Sequence, residues 1–413
     1  MNAPVPSLPS RQLGRYDWTT GNRIKLLENG EQYFPAVFKA IREAQNEVLL
    51  ETFIVFDDGV GTDLKEALIG AARNGARVVV TVDGYGTADL PPAYVDELVE
   101  AGVDFRSFDP ATRLLGMRTN AFRRLHRKIV VVDRRIGFVG GINYSDDHLL
   151  DYGEGSKQDY AVEVEGPIVD DLRALVITAL EGRRMPRTRP WWHRRARFPD
   201  KQADGAGGSA LLSWRDNDRH RDDIELHYRV AMRHAKREII VANAYFFPGF
   251  RLLREFRKAA RRGVKVELIL QGSPDQPIMR WAAQTLYDYL LSSGVVIYEY
   301  CQRPFHGKVA VIDDDWCTVG SSNLDPLSLS LNLEANLLFH DQKITTQLRA
   351  RLQKLMQESC ERINRNDIPH RTRPRQALSW LVFHFLRRFP AWAGWLPVRR
   401  QSTIAVSENR DPA

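Results

Sequence analysis

Two short segments of this 413-residue chain carry the same side chains in the same order. The first contains His126, Lys128 and Asp133 and runs on to Gly140, Gly141 and Asn143; the second contains His306, Lys308 and Asp313 and runs on to Gly320, Ser321 and Asn323. In both, four apolar residues (129–132 and 309–312) separate Lys from Asp, the mark of a buried strand. Side chains two apart on an extended chain share a face, so each His and Lys can address one ligand together. Such a set suits displacement at phosphorus, in which a neutral imidazole attacks a phosphodiester while an imidazolium on the far side protonates the departing alcohol. One ring cannot do both, and that accounts for the duplication. Lys128, Lys308 and the amides of Asn143 and Asn323 would hold the non-bridging oxygens and stabilise the pentacoordinate transition state, so neither a metal nor a cofactor is expected.

A histidine that must keep one tautomer needs an acidic or carbonyl partner on its other ring nitrogen. Asp159, just before an apolar strand at 160–164, is expected to orient His126, and Glu334, within 332–336, to orient His306. Asp133 and Asp313 complete the motif, but an aspartate five residues after the lysine emerges at the far end of the strand. It is therefore expected to fix the adjoining turn rather than touch phosphate. No spacing distinguishes His148, His220 or His227, which read as surface or core residues.

The elements that position these groups repeat as well. A buried strand at 47–53, an amphipathic helix at 63–73 stopped by Gly75, and a strand at 77–82 match a strand at 238–242, a helix at 250–261 stopped by Gly263, and a strand at 264–270. A further helix follows in each half, at 91–101 and 277–292, then a short strand before the motif. The expectation is an α/β protein of two similar α/β/α halves, with mainly parallel central sheets and the active site at their interface. The halves span 21–182 and 209–370. Residues 1–20 read as an amino-terminal extension and 401–413 as a disordered tail. Between the halves, 183–208 reads as a linker, with Trp191 and Trp192 among its arginines; it suits either phosphate contact or a solvated loop.

The chain has 59 Lys and Arg against 52 Asp and Glu, a formal charge of +7 that favours a phosphate-bearing partner without choosing between nucleic acid and an anionic lipid surface. The three cysteines form no C-x-x-C pair, which argues against a disulfide framework or a zinc site and for a reducing compartment. No run of about 18 apolar residues occurs, so any membrane contact is expected to be peripheral.

At its duplicated motif the sequence resembles the phospholipase D superfamily. It is closer still to the short, B-type bacterial cardiolipin synthases through the strings at 26–30 (LLENG), 50–54 (LETFI), 243–248 (NAYFFP) and 320–325 (GSSNLD), a likeness extending from about Gly21 to Leu396. The resemblance implies phosphatidyl transfer through a covalent phosphatidyl-histidine, with two phosphatidylglycerols giving cardiolipin and glycerol. His126 is taken as nucleophile and His306 as acid, roles that the likeness of the motifs leaves exchangeable. A phosphodiesterase or nuclease is the alternative, since the superfamily motif also cuts nucleic acid, although nucleic acid is not the expected partner. The amino-terminal spans of longer cardiolipin synthases are missing, so attachment to an anionic membrane, expected at the cytoplasmic face of the bacterial inner membrane, falls to 371–400. There Leu378, Trp380, Leu381, Phe383 and Phe385 lie between arginines, with Trp392 and Trp395 beyond. Packing of this segment on the protein's own core is the other reading.

Overall fold

The computed structural model describes residues 18–110, 113–114, 117–118, 123–183, 207–272, 277–365, 381, 384 and 403–406. The first half contains β1 (Thr19–Glu28), α1 (Asn29–Arg42), β2 (Glu47–Thr52), α2 (Gly59–Arg73), β3 (Arg77–Asp83), α3 (Pro92–Glu100), β4 (Asp104–Phe108), the two-residue strands β5 (Arg113–Leu114) and β6 (Met117–Arg118), β7 (Ile129–Val132), β8 (Ile136–Gly140), β9 (Tyr160–Glu165) and α4 (Ile168–Leu180). The second contains β10 (Gly208–Arg215), α5 (Asp223–His234), β11 (Glu238–Asn243), α6 (Phe250–Arg261), β12 (Lys265–Gln271), α7 (Pro277–Leu291), β13 (Val296–Tyr300), β14 (Lys308–Ile312), β15 (Trp316–Gly320), α8 (Pro326–Ser330), β16 (Glu334–His340), α9 (Gln342–Glu358) and β17 (Cys360–Ile363). Each half repeats the other, as the sequence pattern predicts.

Pairing of β1 with β10 joins the halves into one 16-stranded sheet. Apolar residues on its inner face, including Ile129, Val162, Val309 and Leu337, share a single buried cluster with Leu172 of α4 and Leu348 of α9. Here α4 packs against β10 and α9 against β1, so each half supplies a helix to the other. On the outer face α1, α2 and α3 cover a second cluster, and α5, α6 and α7 a third. Three buried layers of apolar surface make the frame rigid where the motifs lie.

The sheet is mixed, not mainly parallel. Only β2–β3–β4 and β11–β12–β13 run parallel, through α2, α3, α6 and α7 as crossovers. The motif strand β7 instead turns straight back into β8, and β14 into β15, as antiparallel hairpins. In the first hairpin Asp133 and Arg134 both have φ of 53°, and the Arg135 N–H donates to the Val132 carbonyl at 3.0 Å, closing a tight turn of the kind normally built from Asn-Gly. Without glycine there, the hairpin leaves little trace in the sequence.

Part of the stretch 401–413, expected to be a disordered tail, is an ordered strand. Residues Thr403–Ala405 form β18, antiparallel to β4 at the sheet edge, where a β-branched pair shields an otherwise unpaired strand. β1 likewise begins at Thr19, inside the stretch assigned to the amino-terminal extension. Of the linker expected at 183–208, residues 184–206 lie outside the described residues, as does nearly all of 371–400; Leu381, which is described, is 60% exposed. No helix among the described residues is long and apolar enough to cross a membrane.

Candidate active site

Each motif histidine sits just before its strand, and its main chain is fixed from two sides. The Leu125 N–H donates to Asp83 Oδ2 at 2.8 Å, and the Phe305 N–H to Gln271 Oε1 at 2.5 Å. The histidines' own N–H groups reach into the opposite half, His126 to the Leu333 carbonyl at 2.9 Å and His306 to the Gln158 carbonyl at 2.8 Å. Parallel bridges Leu125–Leu333 and Gln158–Phe305 continue this contact. Both motifs are thereby drawn to one place on the interface.

The side chains cross in the same way. His126 Nδ1 lies 3.0 Å from Glu334 Oε2, and His306 Nδ1 lies 2.6 Å from Asp159 Oδ2. This reverses the expected pairing of Asp159 with His126 and Glu334 with His306. The cause is the bridging just described: segment 124–126 lies beside 332–333, and 305–306 beside 158, so the nearest carboxylate belongs to the other half. Both carboxylates are fully buried, and each leaves the Nε2 of its histidine for a substrate.

Lys128 and Lys308 are buried at 1% and 0% exposure, and each ammonium donates to the carbonyl of the histidine two residues before it, over 3.0 Å for Lys128. Burial first, and the Lys308 ammonium second, push the Lys128 ammonium down to about 7. An anionic phosphate between the lysines favours their charged forms. Substrate binding is therefore expected to weaken as pH rises above about 7, because the free protein must then take up a proton on binding. KM for the phosphodiester, measured from pH 6 to 9, should rise above that point, and a flat KM would refute the assignment of Lys128 to the phosphate.

The two imidazoles differ electrostatically. Burial pushes His126 below the ordinary imidazole range, and the Glu334 carboxylate opposes this. At His306 burial is reinforced by the ammonium groups of Lys308, Lys157 and Lys128, which push it well below that range. Burial raises Glu334, but the His126 ring, Lys128 and the Ser321 hydroxyl outweigh it and hold the carboxyl low. Burial pushes Asp159 up.

Asn143 and Asn323 occupy matching positions three residues beyond β8 and β15, each 3% exposed. The Asn143 Oδ1 is buried with no hydrogen-bond partner among the described residues, while Asn323 Oδ1 accepts the Tyr245 N–H at 3.5 Å.

Asp133 and Asp313 lie at the opposite end of the motif strands from the lysines. Asp133 accepts the N–H groups of Gln45, Asn46 and Glu47, each at 2.8 Å; Asp313 accepts those of Lys236, Arg237 and Glu238 at 2.8, 2.8 and 3.1 Å. Each thus pins the chain entering the neighbouring strand, β2 or β11, as well as its own turn. Burial works against Asp133, but the Gln45, Glu47 and Asn46 N–H groups outweigh it and hold the carboxyl low. Its stabilising effect is present above the unfolded carboxylate range and lost as pH falls through the folded value. Asp133→Ala is expected to cost about 1–3 kcal/mol of stability, read by urea unfolding, while turnover per folded molecule stays near that of the parent.

Of the histidines without a motif, two are core residues. His220 is fully buried with Nδ1 2.6 Å from Asp223, and burial pushes His227 down to about 4. His148 differs, since its buried ring lies 5.5 Å from that of His306. Among the described residues His148, Asp159 and His306 have ligand-type atoms within 4.8 Å of one another. A metal there would compete with the His306–Asp159 bond and with the Asn143 N–H that His148 Nε2 accepts at 3.2 Å. No spacing in the sequence identified His148.

A duplicated α/β frame that brings two His–Lys pairs to one interface, each histidine held by the other half's carboxylate, is a phospholipase D-type site. A family model described as "Cardiolipin synthase, PLD-like domain" matches residues 37–173 and 228–356. Similar proteins include cardiolipin synthase B of Salmonella typhi, 56% identical over 96% of this chain and 95% of that protein. Cardiolipin synthase B of Escherichia coli (strain K12) is 53% identical over the same shares. A cardiolipin synthase of Geobacillus kaustophilus (strain HTA426) is 32% identical over 80% of this chain and 65% of that protein. The chain belongs to the cardiolipin synthase family of phospholipase D-like enzymes. Among solved structures, a phosphatidylserine synthase of Haemophilus influenzae Rd KW20 superposes with a TM-score of 0.60 at 14% identity, covering 90% of this chain and 94% of that one. A polyphosphate kinase of Porphyromonas gingivalis gives 0.58 at 14% identity, over 95% of this chain and 57% of that one. These two show a shared fold.

Proposed function

We propose that the protein joins two phosphatidylglycerol molecules into cardiolipin and glycerol through a phosphatidyl-histidine intermediate. The observation that carries this reading is the crossed pair of His–carboxylate contacts at one lysine-lined interface. In the first step the His126 Nε2 lone pair forms a bond to phosphorus as the P–O bond to glycerol breaks, and the proton on His306 Nε2 passes to the glycerol oxygen. In the second, His306 removes the proton from a hydroxyl of another phosphatidylglycerol, whose oxygen displaces His126 from phosphorus. Proton and bond counts return to their starting values.

The surroundings of the rings suit these roles. An ionised Glu334 makes His126 the more basic ring, hence the better nucleophile. The cations around His306 make a proton there easier to surrender, and the entering phosphodiester anion offsets their field enough for the ring to acquire it. Lys128, Lys308, Asn143 and Asn323 hold the phosphate oxygens in this scheme.

Membrane attachment is assigned to 371–400 at an anionic surface on the cytoplasmic face of a bacterial membrane; the 60% exposure of the apolar Leu381 supports this. Because β18 lies beyond this segment, truncation would also strip the edge of β4. Leu381→Asp combined with Phe385→Asp is the cleaner variant. It should weaken binding to phosphatidylglycerol vesicles about tenfold or more, from the apolar area withdrawn, while turnover of detergent-dispersed substrate is spared. Equal losses in the two assays would place the segment in the protein's own core.

The test of function is incubation of the purified protein with labelled phosphatidylglycerol. Cardiolipin and glycerol should appear in equal amounts. Cleavage of DNA with phosphatidylglycerol left intact would replace this reading with the nuclease one.

A further inference from the structure

The two halves support their histidines on matching frames but with different chemistry. Ser145 and Asp325 cap corresponding turns after the two motifs, and three residues on stand His148 in the first half and Ser328 in the second. The residues before Asn143 and Asn323 differ too. In the second half the Ser321 hydroxyl donates to Glu334 Oε2 at 2.5 Å. In the first half the equivalent residue is Gly141, and a Cβ there would stand 2.5 and 2.6 Å from the Asp159 oxygens, so no side-chain hydroxyl at that position can serve the carboxylate. What adjoins Asp159 and His306 in its place is the His148 ring, set edge to face against His306 with 69° between the planes.

His148 is held in one state. Its Nε2 accepts the Asn143 N–H, so the ring is neutral and its proton sits on Nδ1, a buried donor with no hydrogen-bond partner among the described residues. A buried ring N–H left without a partner is costly and calls for an explanation. Its backbone N–H donates to the Ser145 carbonyl at 3.2 Å, and its carbonyl packs so close to Gly30 that a Cβ there would come within 2.7 Å. The groups facing the ring are Asp159, His306, Lys157 and Lys308, with Asp147 Oδ1 3.8 Å from Nε2. Burial pushes His148 well below its ordinary range, in keeping with the neutral ring that the Asn143 N–H requires.

We propose that His148 is a positioning residue that sets the His306–Asp159 pair apart from the matching His126–Glu334 pair, and so gives His306 the acid–base role. This inference rests on the two-histidine reaction above. His148 touches no substrate; it acts through the orientation and proton affinity of His306. Its loss should therefore harm only steps in which His306 moves a proton.

The test compares His148→Phe, which keeps ring volume but removes the donor, with His148→Gln, which restores an N–H. Two donors are used: phosphatidylglycerol, and a phosphatidyl ester of p-nitrophenol, whose leaving group departs without protonation. For His148→Phe, kcat for cardiolipin formation should fall about tenfold or more, with KM little changed and the pH optimum displaced, as expected for a weakened general acid. The first-turnover burst of p-nitrophenol should change less than about threefold, since that step needs no acid. His148→Gln should recover most of the loss. Equal losses on both donors, or an undisplaced pH profile, would overturn the role of His148. A parent protein that gives neither a burst nor cardiolipin would overturn the functional reading itself, which separates the two failures.

Discussion

His126→Ala and His306→Ala should each abolish cardiolipin formation, but by different routes and to different depths. Removing the nucleophile leaves no route to the covalent intermediate, and losses of about 10⁴-fold or more are usual for such a group. Removing the acid leaves attack possible while glycerol must depart as an alkoxide, at a cost of about 10²–10⁴-fold. With a p-nitrophenol leaving group the His306→Ala protein should regain its first half-reaction and then stall, because no base activates the second lipid. The His126→Ala protein should remain silent on both donors. Product analysis by labelled phosphatidyl transfer, together with burst kinetics, distinguishes the two. A variant lacking either ring that still made cardiolipin at a tenth of the parent rate would be incompatible with the shared site.

Glu334→Gln and Asp159→Asn form the second large expectation. Each amide keeps the shape of the acid but removes the charge that fixes the tautomer and raises the basicity of the ring it faces. The histidine affected is the one in the other half: Glu334 acts on His126 at 3.0 Å, and Asp159 on His306 at 2.6 Å. Losses of about 10²–10⁴-fold in kcat are expected, comparable to loss of a general acid or base. Burial already depresses His126, and Glu334 opposes it, so Glu334→Gln lowers the proton affinity of that ring further. The first half-reaction should suffer most. Asp159→Asn should instead behave like His306→Ala and be partly rescued by the p-nitrophenol donor. If the rescue pattern followed sequence order, with Glu334→Gln rescued and Asp159→Asn not, the crossed arrangement would be wrong.

That crossing marks the boundary of what the sequence discloses. The duplication, the motif spacing and the strand–helix–strand order are one-dimensional regularities, so a pattern of His, Lys, Gly and apolar runs reveals them directly; α6 begins and ends at the residues its periodicity and Gly263 predict. Which half supplies the partner of each histidine is a property of the interface. Sequence proximity points the wrong way there, because 158–159 lies close to His126 in the chain yet pairs in space with 305–306. The sheet is mixed where the sequence pattern predicts a mainly parallel one for a related reason: the Asp133–Arg134 turn uses positive φ without glycine, and the Asp133 carboxylate binds backbone 86–88 residues away. Asp133 and Asp313 were legible as structural residues, although the chain they fix includes the neighbouring strand's entry. His148 carries no signal at all, being a lone histidine in a polar turn that only the fold sets beside the His306 ring.

The reaction scheme depends most on the claim that lipid phosphate becomes bonded to an imidazole. The direct measurement is to mix the protein with radiolabelled phosphatidylglycerol, quench in alkaline detergent within one turnover, and map the labelled residue by proteolysis and mass spectrometry. The expected result is phosphatidyl label on His126, absent from His126→Ala and longest-lived in His306→Ala charged with the p-nitrophenol donor. Cardiolipin formed at the parent rate with no label on any histidine would contradict it.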